Sequence, residues 1–513
     1  MNQPSLSYKS QSPIWFKSAL ENPWLLCGVF GICFLVLSFF TFQFGVDDSF
    51  ITFRYAKNLV ENGVWNWNPT GPRVEAYTNF IYAVLAIIPE YFGLSSFIFF
   101  KFIGCLSIVY LGVRLYQMLG MRYALWVALT FVLVNPLFYI HAYSGLETPL
   151  FVVLLFELII GLTLDDESGS EKRLYLIMLL LTLTRPEGAM YSIIGFIFLM
   201  FKRRNIESKL TLGLIFTGAS IYFYIRYVYF EQLLPNTFYV KSDIPFEFSR
   251  VIEYLKSGKI FWSAPLLFFL VKNLGFRVLL LASLLVNLLY ASSDLQMNFA
   301  DRFPFQTLAP FYLSAIVLLS KSRHFSKLIF LITLCVTMIW TSQSLVAIAG
   351  DYPSLRKAHG SLGVALSKYK DENLSLMAGD VGLIPYYSEW QTFDFIGLAN
   401  KRVARGGMTV ELVREMNPDL VLVYSSAGSD PQIGFDSVRN LKPVMDFIRG
   451  NQDYQYAGAI KLNDSFYLLA YLKNSVKSFN QIRASIAEVE QSSSRFELDR
   501  EKYLKFDYVR QPN

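Results

Sequence analysis

Apolar residues fall into long blocks separated by short polar joints. The blocks lie near 24–44, 78–94, 97–118, 123–140, 147–164, 174–184, 188–201, 209–229, 260–271, 278–291, 304–320 and 328–349. A bilayer core takes about 20 apolar residues as helix, so this spacing predicts a polytopic α-helical membrane body. The first block has no small-residue cleavage site and runs directly into Asp47-Asp48, which predicts an uncleaved first span. Glu171-Lys172-Arg173, Lys202-Arg203-Arg204, Lys272 with Arg277, and Lys321 with Arg323 mark cytoplasmic joints, and Lys9 and Lys17 favour a cytoplasmic N-terminus. Alternation then puts 141–149, 184–188, 231–259, 292–303 and everything after Gly350 outside. Three blocks separate Asp48 from Glu147. If both residues serve one outer site, the chain crosses an even number of times between them. One block is then re-entrant, or two form a single bent span, for about eleven spans in all.

After Gly350 the pattern changes, with shorter apolar runs and returning Asp, Asn, Gly and Ser. Runs at 374–378, 391–396 and 420–424 predict buried strands, and 409–415 and 432–449 predict helices between them. A hairpin is expected from 454–462 and 465–472 around Asn463-Asp464, with an amphipathic helix over 475–505. The expected organisation is a membrane domain over 1–349, with a first outer loop at 46–77, and an extracytoplasmic α/β domain over 350–513. No internal repeat is visible, which weakens an inverted-repeat transporter architecture.

Composition agrees with the pattern. Of 513 residues, 53% are hydrophobic and 17% charged, against about 45–50% and about 25% in soluble domains. Mean hydropathy is +0.36. This excludes a soluble enzyme, a disordered chain and a nucleic-acid binder. The net charge of +6 reads as positive-inside loop charge. Cys27, Cys33, Cys105 and Cys335 all sit in apolar blocks without zinc-type spacing, so neither a disulfide framework nor a zinc site is expected.

Ionisable groups at membrane depth are costly and mark function by default. The outer joints carry most of the informative ones. Asp47 and Asp48 emerge where the first span ends and open an amphipathic helix that buries Phe50 and Phe53. A carboxylate there can serve as general base towards an acceptor hydroxyl, or simply as a helix cap. Arg73 and Glu75 could form a loop network, or Arg73 could neutralise a phosphate while Asn79 binds a sugar. His141 and Glu147 interrupt two apolar blocks; Glu147 could orient the acceptor or cap the helix that Pro149 begins. Arg185 and Glu187 read as a pair facing the same side. Asn236, Tyr239 and Lys241 offer amide, hydroxyl and ammonium groups. Arg302 could clamp a phosphate or pair with Asp301. Tyr55, Trp65, Trp67 and Tyr77 could stack on sugar rings or anchor at the interface. No motif for a metal or for ATP appears, so no cofactor is expected, although a cation between Asp48 and Glu147 is compatible with the charges.

Five motifs in order resemble bacterial GT-C glycosyltransferases. They are Asp47-Asp-Ser-Phe-Ile-Thr-Phe-Arg-Tyr-Ala-Lys-Asn58, Arg73-Val-Glu-Ala-Tyr-Thr-Asn79, Ser144-Gly-Leu-Glu-Thr-Pro149, Arg185-Pro-Glu-Gly188 and Pro235-Asn-Thr-Phe-Tyr-Val-Lys241. Within that class they look most like the terminal β-(1→2) arabinofuranosyltransferase-like family, as do Gly379-Asp-Val-Gly-Leu-Ile-Pro-Tyr-Tyr387 and Asp394-Phe-Ile-Gly-Leu398. The resemblance implies a polyprenyl-phosphate-sugar donor and a glycan, lipid or protein acceptor of the cell envelope. It implies inverting transfer at the outer face of the bacterial inner membrane, often without a divalent metal. It maps the base to Asp47 or Asp48 and leaves Arg73, Arg185, Lys241 and Arg302 as phosphate clamps. A transporter or flippase of a lipid-linked saccharide, or an assembly protein docking through its outer domain, are the alternatives from other classes.

Overall fold

The computed structural model of the chain describes residues 22–120, 123–164, 171–202, 206–242, 247–257, 263–293, 298–320, 332, 335, 352–426, 438–463 and 466–501. The apolar block at 328–349 falls almost wholly outside them. So do Lys9, Lys17, Arg203, Arg204, Lys321 and Arg323, the first part of the helix expected from 432, and Asp464 of the expected hairpin turn.

The N-terminal body is helical. Helix α1 (Pro23–Thr41) begins at Asn22, whose side chain accepts the Trp24 N–H at 3.0 Å. Then come α2 (Asp48–Asn62), α3 (Phe80–Tyr91), α4 (Ser96–Leu119), α5 (Tyr123–Leu133), α6 (Pro136–Tyr143), α7 (Thr148–Thr163), α8 (Glu171–Thr184) and α9 (Pro186–Lys202). Next are α10 (Ile206–Phe230), α11 (Asn236–Ser242), α12 (Phe248–Ser257), α13 (Ala264–Leu270), α14 (Leu274–Ala291) and α15 (Arg302–Leu319). Helix α15 is the hub. Its side chains are buried from Arg302 to Val317, and Leu308, Phe311 and Leu313 join the main apolar core.

Among the described residues, three helices are long and apolar enough to cross a bilayer, and a bent pair makes a fourth candidate. Four shorter apolar helices accompany them. The three blocks between Asp48 and Glu147 fold unequally. The first becomes α3, only 12 residues long with Pro89 inside it, about 18 Å and too short to cross alone. The second becomes α4, of 24 residues. The third breaks at Asn135-Pro136 into α5 and α6, bent by 47°. Pro136 cannot continue the helical hydrogen-bond ladder, and Asn135 caps the new start by accepting the Leu137 N–H at 3.1 Å.

The C-terminal unit is a mixed α/β domain. It contains α16 (Tyr352–Ser367), β1 (Ser375–Ala378), α17 (Leu383–Ser388), β2 (Gln391–Asp394), α18 (Lys401–Gly406), α19 (Val410–Met416) and β3 (Leu420–Ser425). It closes with α20 (Leu441–Arg449), β4 (Tyr454–Asn463), β5 (Phe466–Lys473) and α21 (Phe479–Glu501). The sheet order is β2-β1-β3-β5-β4. The first three strands are parallel, with Leu376 opposite Thr392 and Leu420. The β3–β5 and β5–β4 pairs are antiparallel, as the expected hairpin requires. All six residues of β3 are buried, which matches its unbroken Leu-Val-Leu-Val-Tyr run.

This domain sits on the loop over 46–77. Phe50 stacks against Phe97 and meets Tyr386 edge-on at 5.2 Å. Arg54 donates to the Trp390 carbonyl at 2.8 Å, and Lys57 pairs with Glu389 at 2.7 Å. Asn236 at the start of α11 donates to the Gly397 and Leu398 carbonyls at 2.6 and 3.0 Å. The amphipathic face of α2 therefore packs on protein.

Candidate functional site

A cavity opens where six stretches of the helical body meet the C-terminal domain. Asp48, Ile51 and Thr52 of α2 and Ala76–Asn79 of the loop return form one wall. Leu146, Glu147, Arg185, Arg302 and Phe303 form the floor, and Thr237, Val240 and Lys241 of α11 a second wall. Ile396, Leu398 and Arg439 close it from the C-terminal domain. Asp48 and Glu147 both line this cavity.

The floor is a buried ion network. Glu147 lies between two arginines: Arg302 Nη2 is 2.7 Å from its Oε1, and Arg185 Nη1 contacts the same oxygen. Its Oε2 accepts from Asn79 Nδ2 at 2.7 Å, and Asn79 Oδ1 accepts from Thr52 at 3.0 Å. Burial alone would raise the Glu147 carboxyl, but Arg302 and Arg185 outweigh it and hold it down at about 2. Arg185 also pairs with Glu187, which accepts from Gln306 Nε2 at 2.9 Å and from the Tyr290 hydroxyl. The Phe303 ring lies against both guanidiniums, 5.6 Å from Arg185 and 5.5 Å from Arg302.

Arg302 reaches Glu147 because the chain before it turns sharply. Ala300 and Asp301 both adopt left-handed backbone, with φ of 47° and 49°. Two consecutive non-glycine residues there are strained and need surrounding contacts to hold them. His141 supplies one: its Nε2 is 3.1 Å from the Ala300 carbonyl, and its ring packs 4.7 Å from Phe305. His141 thus supports the floor from behind.

Asp48 and Lys241 are different from that network. Among the described residues, neither side chain makes a hydrogen bond or ion pair. Burial pushes the Asp48 carboxyl up to about 6, against the pull of Lys241. Burial lowers the Lys241 ammonium from its ordinary value. The Thr237 hydroxyl is buried without a partner in the same wall. The cavity therefore presents a carboxylate that titrates near neutrality, a weakly held ammonium and a ready hydroxyl donor.

Asp47 points elsewhere. Its carboxylate accepts the Gly382 N–H at 2.9 Å and the Leu383 N–H at 2.8 Å, at the start of α17. Of the other candidates, Glu75 is bound by Arg226 Nε at 2.7 Å, and Arg73 is exposed and stacks on Tyr229 at 4.3 Å. Tyr239 packs towards the C-terminal domain, with Arg405 5.0 Å from its ring. Asn236 is spent on the domain seam. Trp67 is fully buried under Arg54, and Trp65 donates to the Tyr77 hydroxyl at 2.9 Å. Tyr77 alone of the four proposed stacking aromatics lines the cavity.

Arg439, Thr237, Thr52, Arg226 and His359 were not anticipated from the sequence. Arg226 had a visible signal, a lone arginine inside the apolar 209–229 block. Arg439 had none, because only the folded α/β domain brings it to the cavity. There its Nη1 donates to the Val240 carbonyl at 2.8 Å, beside Lys241. Among the described residues no group of three or more His, Cys, Asp and Glu is placed to hold a metal.

This arrangement of a helical body and a C-terminal α/β domain is similar to a solved structure. ArnT from Cupriavidus metallidurans, in a crystal structure bound to undecaprenyl phosphate, matches with a TM-score of 0.55 at 12% identity, over 87% of this chain and 98% of that one. The fold is ArnT-like. Identity this low carries the fold and no residue roles. Residues 351–478 match a family model described as a domain of unknown function (DUF8728). No curated protein matches the chain. The DUF8728 match takes in His359, Asp380 and Gly382 at the seam and Ile396, Leu398 and Arg439 at the cavity, so a domain of unassigned role contributes to the site of an ArnT-like body.

Proposed function

We propose that the protein is an inverting glycosyltransferase that moves a sugar from a polyprenyl phosphate to a cell-envelope glycan, lipid or protein, with Asp48 as base. The observation that carries this is the Asp48 carboxylate, unpaired, facing Lys241 across a cavity rich in cations. Four cations line that cavity against two carboxylates, and Glu147 is already committed to Arg185 and Arg302. The surplus charge suits a phosphate leaving group, and the ArnT-like fold supports a lipid-phosphate donor.

Asp48 takes the proton of the acceptor hydroxyl as its oxygen attacks the anomeric carbon. The bond from that carbon to the phosphate oxygen breaks on the opposite face, which inverts the centre. Lys241 and Arg302 stabilise the charge gathering on the departing phosphate. Thr237 and Tyr77 are placed to contact the sugar. The prenyl chain stays in the bilayer while the headgroup enters from the outer face, so the protein belongs in the inner membrane with its C-terminal domain outside. The motif resemblance extends this reading to the arabinofuranosyltransferase-like group. The cavity itself names no particular pentose or hexose.

The test uses purified protein, a panel of undecaprenyl-phosphate sugars and envelope extract as acceptor source. Release of undecaprenyl phosphate with sugar appearing on an acceptor is expected, and Asp48→Asn should abolish it while the protein still folds. Movement of intact lipid-sugar across proteoliposomes without transfer would replace this reading with transport.

A further inference from the structure

The most unusual polar cluster outside the cavity lies at the domain seam. His359, on α16, is fully buried between two carboxylates. Its Nδ1 is 3.5 Å from Asp47 Oδ1 and its Nε2 is 3.3 Å from Asp380 Oδ2. Asp47 ends the loop before α2; Asp380 lies between β1 and α17; Tyr424 of β3 stands behind Asp380. These are the charged and titratable groups that face the imidazole. Asp47 also holds the Gly382 and Leu383 N–H groups. Gly382 has no alternative: a Cβ there would sit 2.0 Å from the Asp47 carbonyl oxygen. Two strands of chain 335 positions apart are thus pressed backbone to backbone.

We infer that His359 is a positioning residue, an interdomain latch that fixes the turn from which Asp48 enters the cavity. Asp48 is the next residue after Asp47 and the first of α2, so its direction follows from how Asp47 is held. Neither ring nitrogen is in hydrogen-bond geometry with its carboxylate, so the contacts are ion pairs, and only the imidazolium carries the charge that can hold both carboxylates at once. The latch therefore joins the domains through a charge buried between two opposite charges. Burial opposes the charge, but Asp380 and Asp47 outweigh it and raise the imidazolium to about 9. A raised value in the folded state means that the latch is fully present below the ordinary histidine range and is lost as pH rises through about 9.

The role in catalysis rests on the glycosyltransferase reading; the latch itself does not. The test compares wild type with His359→Gln, and with Asp380→Asn in case the first variant folds poorly. Hydrogen exchange on the whole protein without substrate should rise at least tenfold at 382–383 and 47–52 and stay unchanged in α7 and α15. In the transfer assay kcat should fall at least tenfold with donor KM nearly unchanged. An alkaline loss of activity near pH 9 is expected in wild type and should be absent in His359→Gln. Unchanged exchange at the seam in both variants would overturn the latch. Loosened exchange with unchanged kcat in both would overturn its link to Asp48. Loosened exchange with no transfer by wild type would leave the latch standing and sink the glycosyltransferase reading instead.

Discussion

Asp47 and Asp48 are neighbours in the chain and face two regions built on opposite principles. At the seam, the Asp47 carboxylate is filled: two backbone N–H groups occupy it, and an imidazole lies beside it. At the cavity, Asp48 is left open, with its nearest counter-charge, Lys241, outside ion-pair range. A buried carboxylate that accepts two backbone N–H bonds is held in one place. One that lacks partners titrates within reach of neutral pH and can accept a proton. On the proposed reading, the acidic pair divides its work: Asp47 holds the two domains together and Asp48 carries the chemistry.

The sharpest way to break that comparison is to neutralise each aspartate in turn. Asp48→Asn should reduce transfer by about 10²–10⁴-fold, the usual worth of a positioned base, with the thermal midpoint nearly unchanged. The same carboxyl should set an acid limb in wild type. Its proton must be absent for catalysis, so kcat/KM should hold above about pH 6 and fall tenfold per pH unit below it. A profile flat from pH 5 to 8 would remove Asp48 from the role.

The second contrast sets two buried carboxylate–arginine pairs against each other. Glu147 faces the cavity between Arg185 and Arg302, whereas Glu75 meets Arg226 away from it. Removing one partner of a buried pair costs about 3–5 kcal/mol because the other charge is stranded. Glu147→Gln and Glu75→Gln should therefore both lower thermal stability. Only Glu147→Gln should also reduce turnover per folded molecule, because it frees the arginines that shape the phosphate end. Equal turnover in the two variants would erase the distinction between them.

Much of this architecture was readable in advance, and the parts that were not share a cause. The apolar blocks, the α/β composition after Gly350 and the hairpin near 463 all follow from local patterning, whereas the break at Asn135-Pro136 inside the 123–140 block was not assigned in advance. So does the set of outer motifs, since Asp48, Asn79, Glu147, Arg185, Lys241 and Arg302 do meet in one cavity. The choice between Asp47 and Asp48 was not local. It depends on N–H groups of Gly382 and Leu383, hundreds of residues away. The same holds for Arg439, which acquires meaning only when its domain docks. Trp67 misleads in the other direction: an interfacial tryptophan in sequence becomes the packed core of the loop, under Arg54.

Glycine at 382 gives a smaller and steric test of the seam. Gly382→Ala places a methyl group against Asp47 backbone, which cannot retreat as a side chain would. Overpacking of this kind costs about 1–3 kcal/mol, so the thermal midpoint should fall by a few degrees. Activity should fall by less than in Asp48→Asn, because the base remains and only its presentation shifts. An alanine variant as stable and active as wild type would show that the two backbones are not held this closely.

Arg73 gives the smallest expected effect and the most discriminating one. By sequence it stands with Arg185, Lys241 and Arg302 as a clamp for phosphate. In the fold it is exposed and stacked on Tyr229, outside the cavity lining. An exposed cation–π contact is worth about 0.5–1 kcal/mol, so Arg73→Ala should cost little stability. Donor KM should change less than twofold, against a clear rise in Lys241→Met. If Arg73→Ala instead raises donor KM as much as Lys241→Met, the headgroup extends past the cavity towards the loop. The boundary between the filled and the open regions would then have to be redrawn to include the loop return.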